Sequence, residues 1–69
     1  MQFKLKKVTV EKVKENLLFK ENKIEFSKCK TDSDICLTFV RISNVTNSEK
    51  GLAMEIAEQI ISQTNHKQH

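Results

Sequence analysis

The stretch of sequence that decides the fold is residues 16–43, which read NLLFKENKIEFSKCKTDSDICLTFVRIS. A tight turn at residues 21–22 would fold the first part of this stretch into a hairpin with four apolar side chains on one face. The four side chains are Leu17, Phe19, Ile24 and Phe26. This pairing favours two antiparallel β-strands, one on each side of the turn.

A second turn in the same stretch adds a third strand on the same face. Residues 31–34 are rich in turn-forming side chains, and a turn centred on residues 32–33 would set Phe26 opposite Phe39. A slip of one residue in either turn would move half of the apolar set to the other face. Because the two turns agree on one face, the sequence predicts an antiparallel meander.

Helical spacing of apolar residues marks the last part of the chain, over residues 48–64. The stripe consists of Leu52, Ala53, Ile56, Ala57, Ile60 and Ile61. Thr46 and Glu49 match a capping box at its start, and Ser48 is an alternative cap. We therefore predict an amphipathic helix over residues 48–64, followed by a polar tail of residues 65–69 that frays.

Residues 9–16 fit two structures, and the sequence leaves both open. As a strand they would extend the sheet from Val8 and Val10, and as a helix Val10, Val13 and Leu17 are also correctly spaced. The strand is preferred, because a helix that continued to Leu17 would consume part of the first hairpin.

The predicted fold class is therefore α+β. It is a small antiparallel β-meander of three to four strands, able to curl into a half-barrel, with the C-terminal amphipathic helix packed on one face. A chain of 69 residues with 38% apolar and 30% charged residues is expected to form a single domain, here residues 1–64. The predicted core between sheet and helix consists of Leu17, Phe19, Ile24, Phe26, Leu37, Phe39, Leu52, Ile56 and Ile60.

The length of the chain also bears on stability and compartment. A domain this small buries only about 60% of the surface that its unfolded chain exposes, so it is marginal and often recruits a partner. No apolar run approaches the roughly 18 residues of a membrane span, which argues against a membrane partner. The N-terminus lacks the continuous apolar segment of a secretory signal. We therefore expect a cytoplasmic protein.

Reactive side chains are few, and the sequence predicts no catalytic site, no cofactor, no metal and no small-molecule substrate. Cys29 and Cys36 would face each other across the second hairpin, where reduced thiols are expected and a cross-strand disulfide is the alternative. A zinc site would need different spacing and two further ligands. Both histidines, His66 and His69, lie in the polar tail, so none remains inside the domain as a general base.

The second face of the predicted sheet carries more apolar side chains than a two-layer domain should expose to water. They are Leu18, Cys36, Val40, Ile42 and Val45. We therefore predict a small non-catalytic protein-binding module that forms a homodimer or docks on another protein. Abundant Lys, Ile and Asn beside a single Arg are typical of AT-rich coding. A phage or mobile-element inhibitor of a host protein, acting in the host cytoplasm, is one concrete hypothesis.

Nucleic-acid binding through the phosphate backbone is the alternative function. The net charge is +3, and residues 1–30 contribute +5 while the remainder contributes −2. The candidate phosphate contacts are Lys4, Lys6, Lys7, Lys12, Lys14, Lys28, Lys30 and Arg41. In the order of its elements the predicted fold resembles the compact archaeal chromatin proteins. Those proteins carry a Trp and several Gly on the binding face, whereas this chain has no Trp and only Gly51.

Overall fold

Five helices make up the part of the chain that the computed structural model describes, which is residues 3–66, with side chains described up to Thr64. The helices are α1 (Lys7–Glu15), α2 (Leu17–Glu21), α3 (Lys23–Ser27), α4 (Asp32–Thr46) and α5 (Lys50–His66). No β-strand is present within residues 3–66. The predicted α+β meander is therefore wrong, and the fold is a small helical bundle.

The first predicted hairpin turn is a break between two short helices. Asn16 caps α2 by accepting a hydrogen bond from the Leu18 backbone N–H at 2.9 Å, and Asn22 interrupts the helical path with φ −121° and ψ 43°. The side chain of Asn22 donates to the Leu18 carbonyl at 2.7 Å. Phe19 and Phe26, seven residues apart, are in contact, with ring centroids 4.6 Å apart and the rings tilted by 44°. This spacing is close to two helical turns, so two of the four side chains that suggested a hairpin also meet in a broken helix.

The second predicted turn is the start of α4. Thr31 is the N-cap, and its hydroxyl accepts a hydrogen bond from the Asp34 backbone N–H at 3.1 Å. The Asp34 carboxylate accepts from the Lys30 N–H at 3.2 Å, which resembles the reciprocal bonding of a capping box. Asp32 and Asp34 both lie in the first turn, where the helix dipole favours negative charge. Residues that suit turns also suit helix starts, and here they start a helix.

The predicted C-terminal helix is confirmed, since α5 spans Lys50–His66 and the prediction was residues 48–64. Its start differs from the predicted capping box. Thr46 is the last residue of α4 and donates its hydroxyl to the Ile42 carbonyl at 2.8 Å. Asn47 then adopts the left-handed conformation, with φ 55°, and ends α4. Residues 65–66 of the predicted tail belong to α5, and residues 67–69 lie outside the described residues.

The open question over residues 9–16 is answered by α1, which is helical from Lys7 to Glu15. Val10 and Val13 are buried in it, at the spacing that the helical alternative required. The preference for a strand was therefore wrong. It depended on the first hairpin, which does not form.

The core follows helical spacing rather than alternation along a strand. Its buried apolar side chains are Val10, Val13, Leu18, Phe26, Cys36, Phe39, Ile42, Ala53 and Ile56. Of the nine predicted core residues, Phe26, Phe39 and Ile56 are buried, and Phe19, Leu52 and Ile60 are partly buried against the cluster. Leu17, Ile24 and Leu37 are instead 65%, 79% and 42% exposed. They were grouped with the phenylalanines because the predicted strands alternate with period two, which a helix does not do.

A ladder of polar side chains on α5 holds the extended N-terminal segment. Gln63 accepts from the Lys4 backbone N–H at 2.9 Å and donates to the Lys4 carbonyl at 2.6 Å. One turn earlier, Gln59 accepts from the Lys6 N–H at 2.9 Å. Because glutamine carries both a donor and an acceptor, each side chain can satisfy backbone groups that have no helix partner. The segment is thereby fixed along one side of α5.

The same row continues to Glu55, which binds α1. Thr9, fully buried, donates its hydroxyl to the Glu55 carboxylate at 2.8 Å and accepts from the Gln59 amide at 2.8 Å. Lys12 lies 3.3 Å from the other carboxylate oxygen. The hydrogen bond from Thr9, with a further contribution from Lys12, lowers the pKa of Glu55 below its ordinary value of 4.5.

Substitution of Phe26 and Ile24 distinguishes the helical core from the predicted sheet, in which both residues would face the helix. Phe26→Ala removes a side chain that is only 5% exposed and should lower the free energy of unfolding by about 3–5 kcal/mol. Ile24→Ala removes one that is 79% exposed and should change it by less than about 0.5 kcal/mol. Urea denaturation followed by circular dichroism measures both. Equal losses for the two variants would contradict the helical register.

The Glu55 contacts predict a pH dependence of stability. A carboxyl whose pKa is lowered in the folded state stabilises the protein above its unfolded-state pKa, and this contribution is lost as the pH falls through the folded-state value. Glu55→Gln should therefore have a lower urea midpoint than the parent at pH 7, and the difference should narrow at pH 3. A difference that stays constant between the two pH values would show that the Glu55 charge does not contribute.

Candidate protein interface

The residues predicted to form an interaction face are not brought together by the fold. Leu18, Cys36 and Ile42 are buried in the core of the bundle, at 8%, 0% and 6% exposure. Val40 is half-buried and Val45 is 78% exposed. The predicted face assumed a sheet, in which alternate residues of one strand point to the same side. On a helix these positions spread around the axis, and three of the five point inward.

The long helices α4 and α5 form an antiparallel pair joined by residues 47–49. Their far ends are tied by the N-terminal segment. Ser33, in the first turn of α4, hydrogen-bonds both the Phe3 N–H, at 2.7 Å, and the Phe3 carbonyl, at 2.9 Å. Lys4, the next residue, is held by Gln63 in the last turns of α5. The two helices therefore lie side by side along their whole described length.

On α4, a row of partly exposed residues lies beside the buried side of the helix. Cys36, Phe39 and Ser43 are the fully buried positions of this helix, and Ser33 and Ile42 are nearly so. Leu37 and Val40 follow them around the helix, and Leu37 is 42% exposed while Val40 is half-buried. The row has the three-residue spacing of neighbours on one helix face.

On α5, a similar row lies beside the buried side of the helix. Ala53 and Ile56 are the buried positions, at 6% and 0% exposure. Met54, Ala57 and Ile61 lie three and four residues apart on the neighbouring side. Met54 and Ile61 are 60% and 55% exposed, and Ala57 is half-buried.

Helical geometry brings the two rows to the same side of the pair. Each residue is rotated by about 100° from the one before it, and each residue of the two rows directly follows a buried or half-buried residue of its helix. Because the helices are antiparallel, equal rotations of the same hand lead to the same side. We call this surface the hairpin face. Its apolar residues are Leu37, Val40, Met54, Ala57 and Ile61.

Charged side chains border the hairpin face on both edges. Arg41 lies one turn after Leu37, at the outer edge of α4, and its guanidinium is 3.6 Å from the Glu25 carboxylate on α3. Glu58 is exposed at the outer edge of α5, one turn after Met54. An apolar centre with a polar border is the usual anatomy of a protein interface.

The remaining exposed apolar side chains lie on other parts of the surface. Leu17 and Ile24 belong to the short helices α2 and α3, Val8 to α1, and Val45 to the last turn of α4 on the side next to Arg41. Apolar residues scattered singly are normal on protein surfaces. The hairpin face differs from them because five apolar positions come from two adjacent helices.

The predicted phosphate contacts are distributed over the bundle rather than gathered on one surface. Four of the eight pair with carboxylates, namely Lys12 with Glu55, Lys14 with Asp32, and both Lys28 and Arg41 with Glu25, at 3.3–3.6 Å. Lys4 and Lys6 line a groove that also contains Glu55 and Glu58. Lys7 and Lys30 are exposed. Acidic side chains therefore interrupt the basic surface that the sequence suggested.

The two cysteines are free thiols that lie on different sides of α4. Cys29 is half-buried, with its sulfur 3.3 Å from the Thr38 hydroxyl. Cys36 precedes Thr38 by two residues and so points about 160° away from it. The disulfide alternative, which required a hairpin, is not formed. Burial, with a contribution from Asp32, raises the pKa of the Cys36 thiol to about 11.

Comparison of the chain with protein-family models, curated proteins and solved structures finds no match. None of the helices within residues 3–66 has the length and apolar character needed to cross a membrane. In the same part of the chain, no three His, Cys, Asp or Glu side chains come together as a potential metal site.

The hairpin face was missed at the sequence level, although one signal was present. The apolar stripe predicted for the C-terminal helix runs from Leu52 to Ile61 and covers about 180° of the helix, whereas a helix that packs on one core needs little more than about 100°. Ala57 and Ile61 are the part of the stripe that the core does not need. Met54, which the predicted stripe did not include, lies next to them on the helix. These are the three residues that α5 contributes to the hairpin face.

The two thiols should differ sharply in reactivity. The thiolate is the nucleophile in alkylation, so Cys36, fully buried and with a raised pKa, should react only when the protein unfolds. Cys29 is partly accessible and should be alkylated first by iodoacetamide at pH 8 under native conditions. Peptide mass spectrometry over time measures both rates, with a urea-unfolded sample as the control in which both react. Equal native rates would contradict the burial of Cys36.

Proposed function

We propose that this chain is a small non-catalytic protein-binding module whose contact surface is the hairpin face. The observation that carries the proposal is the apolar row that α4 and α5 each present to solvent on the same side of the bundle. Met54 and Ile61 are more than half exposed there. Burying such side chains against a partner removes apolar area from water at about 25 cal/mol per Å².

The two helices that carry the hairpin face are fixed by packing on their inner sides. Phe39 and Ile56, on the inner sides of α4 and α5, are both fully buried. α4 also contacts α1, α2 and α3. Residues on helices that are fixed in this way lose little conformational freedom when a partner binds, which favours affinity.

The side chains of the face suit protein contact better than contact with nucleic acid. Methionine adapts its unbranched side chain to irregular apolar surfaces, and Met54 lies on the face. A nucleic-acid surface would require cations that track phosphates and planar side chains that stack on bases. Here Arg41 is ion-paired with Glu25, and the chain has neither Trp nor Tyr.

Photo-cross-linking tests the proposal. A benzophenone amino acid at position 54 should give covalent protein adducts in the cells of origin, and the same group at Val8, 53% exposed on α1, should give few. Adding Ile61→Glu to the position-54 variant should reduce the adducts at least about tenfold, because a charge would be buried in the contact. Denaturing electrophoresis with protease and nuclease digestion measures the products.

Each result decides between the two functions. Protein binding through the hairpin face is supported if the adducts are digested by protease, resist nuclease and are lost in Ile61→Glu. Adducts that nuclease removes would support the nucleic-acid alternative and overturn the proposal. Equal adduct yields at positions 54 and 8 would show that the hairpin face has no special role.

A further inference from the structure

The row of polar side chains on α5 connects a titratable group to the N-terminal segment. We propose that residues 3–6 form a strap that is released from the bundle when Glu55 binds a proton, while the helices stay folded. The connection runs from Glu55 through Thr9 and Gln59 to the backbone of Lys6, and we call these groups the Glu55 network. Strap release does not depend on the hairpin face or on what binds there.

One end of the Glu55 network is a group that can only donate. The Lys6 backbone nitrogen lies 2.9 Å from Oε1 of Gln59. Because a backbone N–H cannot accept a hydrogen bond, Gln59 must turn its oxygen toward Lys6 and its amide N–H groups away from it. Nε2 of Gln59 then donates to the hydroxyl oxygen of Thr9 at 2.8 Å.

The other end of the network is a group that can only accept. Oε2 of Glu55 lies 2.8 Å from the Thr9 hydroxyl, and an ionised carboxylate has no proton to donate. The single hydroxyl proton of Thr9 is therefore donated to Glu55, which leaves the Thr9 oxygen free to accept from Gln59. Thr9 is fully buried, so the bonds of its hydroxyl must be made within the protein.

A proton on Glu55 disturbs this network at either oxygen. On Oε2 it turns the acceptor of the Thr9 hydroxyl into a donor. On Oε1 it faces the Lys12 ammonium, which lies 3.3 Å away, and the bond from Thr9 loses its charge. Hydrogen bonds to an ionised partner are about twice as strong as neutral ones. In both cases the bonds that hold Gln59, and through it Lys6, become weaker.

The charges around Glu55 couple the proton to the strap in a second way. The charged side chains that line the two grooves beside Glu55 are Lys4 and Lys6 on the strap, Lys12 and Glu15 on α1, and Glu58 on α5. The hydrogen bond from Thr9, with Lys12 and then Lys6, keeps the pKa of Glu55 below its ordinary value of 4.5. Release of the strap removes Lys6, so proton binding and strap release favour each other.

The strap is attached in a way that allows it to leave while the helices stay folded. Phe3 and Leu5 are only half-buried, and the other two strap residues are exposed. Segments with few buried apolar contacts and exposed backbone hydrogen bonds open locally at low cost in free energy. The side chains that hold the strap backbone are Ser33, Gln59 and Gln63.

NMR relaxation measures strap release. At pH 7 the backbone order parameters of Lys4 and Lys6 should be about 0.85, as in rigid structure, and at pH 3 they should fall below about 0.6. The ionised carboxylate holds the strap above the released-state pKa, near the ordinary 4.5, and this hold is lost as the pH falls through the lower closed-state value. Phe39, fully buried in α4, should keep its order parameter at both pH values.

Two matched substitutions at pH 7 separate the Glu55 network from the general charge of the groove. Glu55→Gln should lower the order parameters of Lys4 and Lys6 as acid does in the parent, and a change to pH 3 should then have little further effect. Glu58→Gln removes the other carboxylate that lines the groove, outside the network, and it should leave the strap ordered.

The coupling must also act in the reverse direction. Gln63 holds the strap at Lys4 and is not part of the Glu55 network. Gln63→Ala should therefore raise the pKa of Glu55 toward 4.5, because the strap and its Lys6 charge are held less tightly. Titration of the Glu55 side-chain carboxyl by ¹³C NMR measures this pKa.

Each outcome decides for or against strap release. Unchanged order at Lys4 and Lys6 in Glu55→Gln overturns the proposal, and so does equal loosening in Glu58→Gln. A loss of order in Glu55→Gln that extends to Phe39 would show unfolding of the bundle in place of strap release. A Glu55 pKa that stays the same in Gln63→Ala would contradict the coupling. The variants are compared at pH 7, where acid unfolding does not interfere.

Discussion

The burial of Phe39 is the constraint on which the rest of this structure depends. Phe39 is fully buried at the middle of α4, the helix that contacts all four of the others. Once this segment is helical, Cys36, Ile42 and Ser43 must turn inward with Phe39, and Leu37 must turn outward. This orientation of α4 also places α5 on one of its sides and the short helices α2 and α3 on another. Every later feature, including the hairpin face, depends on the side that α4 turns to the core.

The sequence predicted the end of this fold better than its middle. The segment that became α5 carries a helical apolar pattern over about three turns, long enough to distinguish period 3.6 from period two. The segments that became α2 and α3 have only five residues each, which is too short for a period and too short to be stable as isolated helices. Their helical state comes from packing, as in the contact between Phe19 and Phe26.

Helix-capping residues account for much of the rest of the wrong secondary-structure prediction, because they were interpreted as hairpin turns. Asn22 and residues 31–34 are polar, small and typical of turns, but the same side chains accept hydrogen bonds from the free N–H groups at helix starts. Thr31 and Asp34 do so here. Whether these residues form a turn or a helix cap depends on the structure of the next segment. The largely apolar residues after Asp34 fit a strand as well as a helix. Only packing of Phe39 against the other helices separates them.

The prediction of an exposed apolar surface was derived from the second face of a sheet that does not form. Of its five residues, only Val40 belongs to the hairpin face, and three of the others are buried. Which residues share one side of an element depends on its period, which is two for a strand and 3.6 for a helix. The residues of such a surface therefore cannot be identified until the secondary structure is known.

The composition of α4 carries this reasoning one step further. Its inward side carries Cys36, Phe39 and Ile42. Its outward side is mixed, because the exposed Leu37 and Val45 stand among the polar Asp34, Thr38 and Arg41. A surface helix normally has one polar side, and on α4 these two apolar side chains interrupt it. A protein partner against the hairpin face would cover Leu37 and leave the polar side chains of the outward side in water.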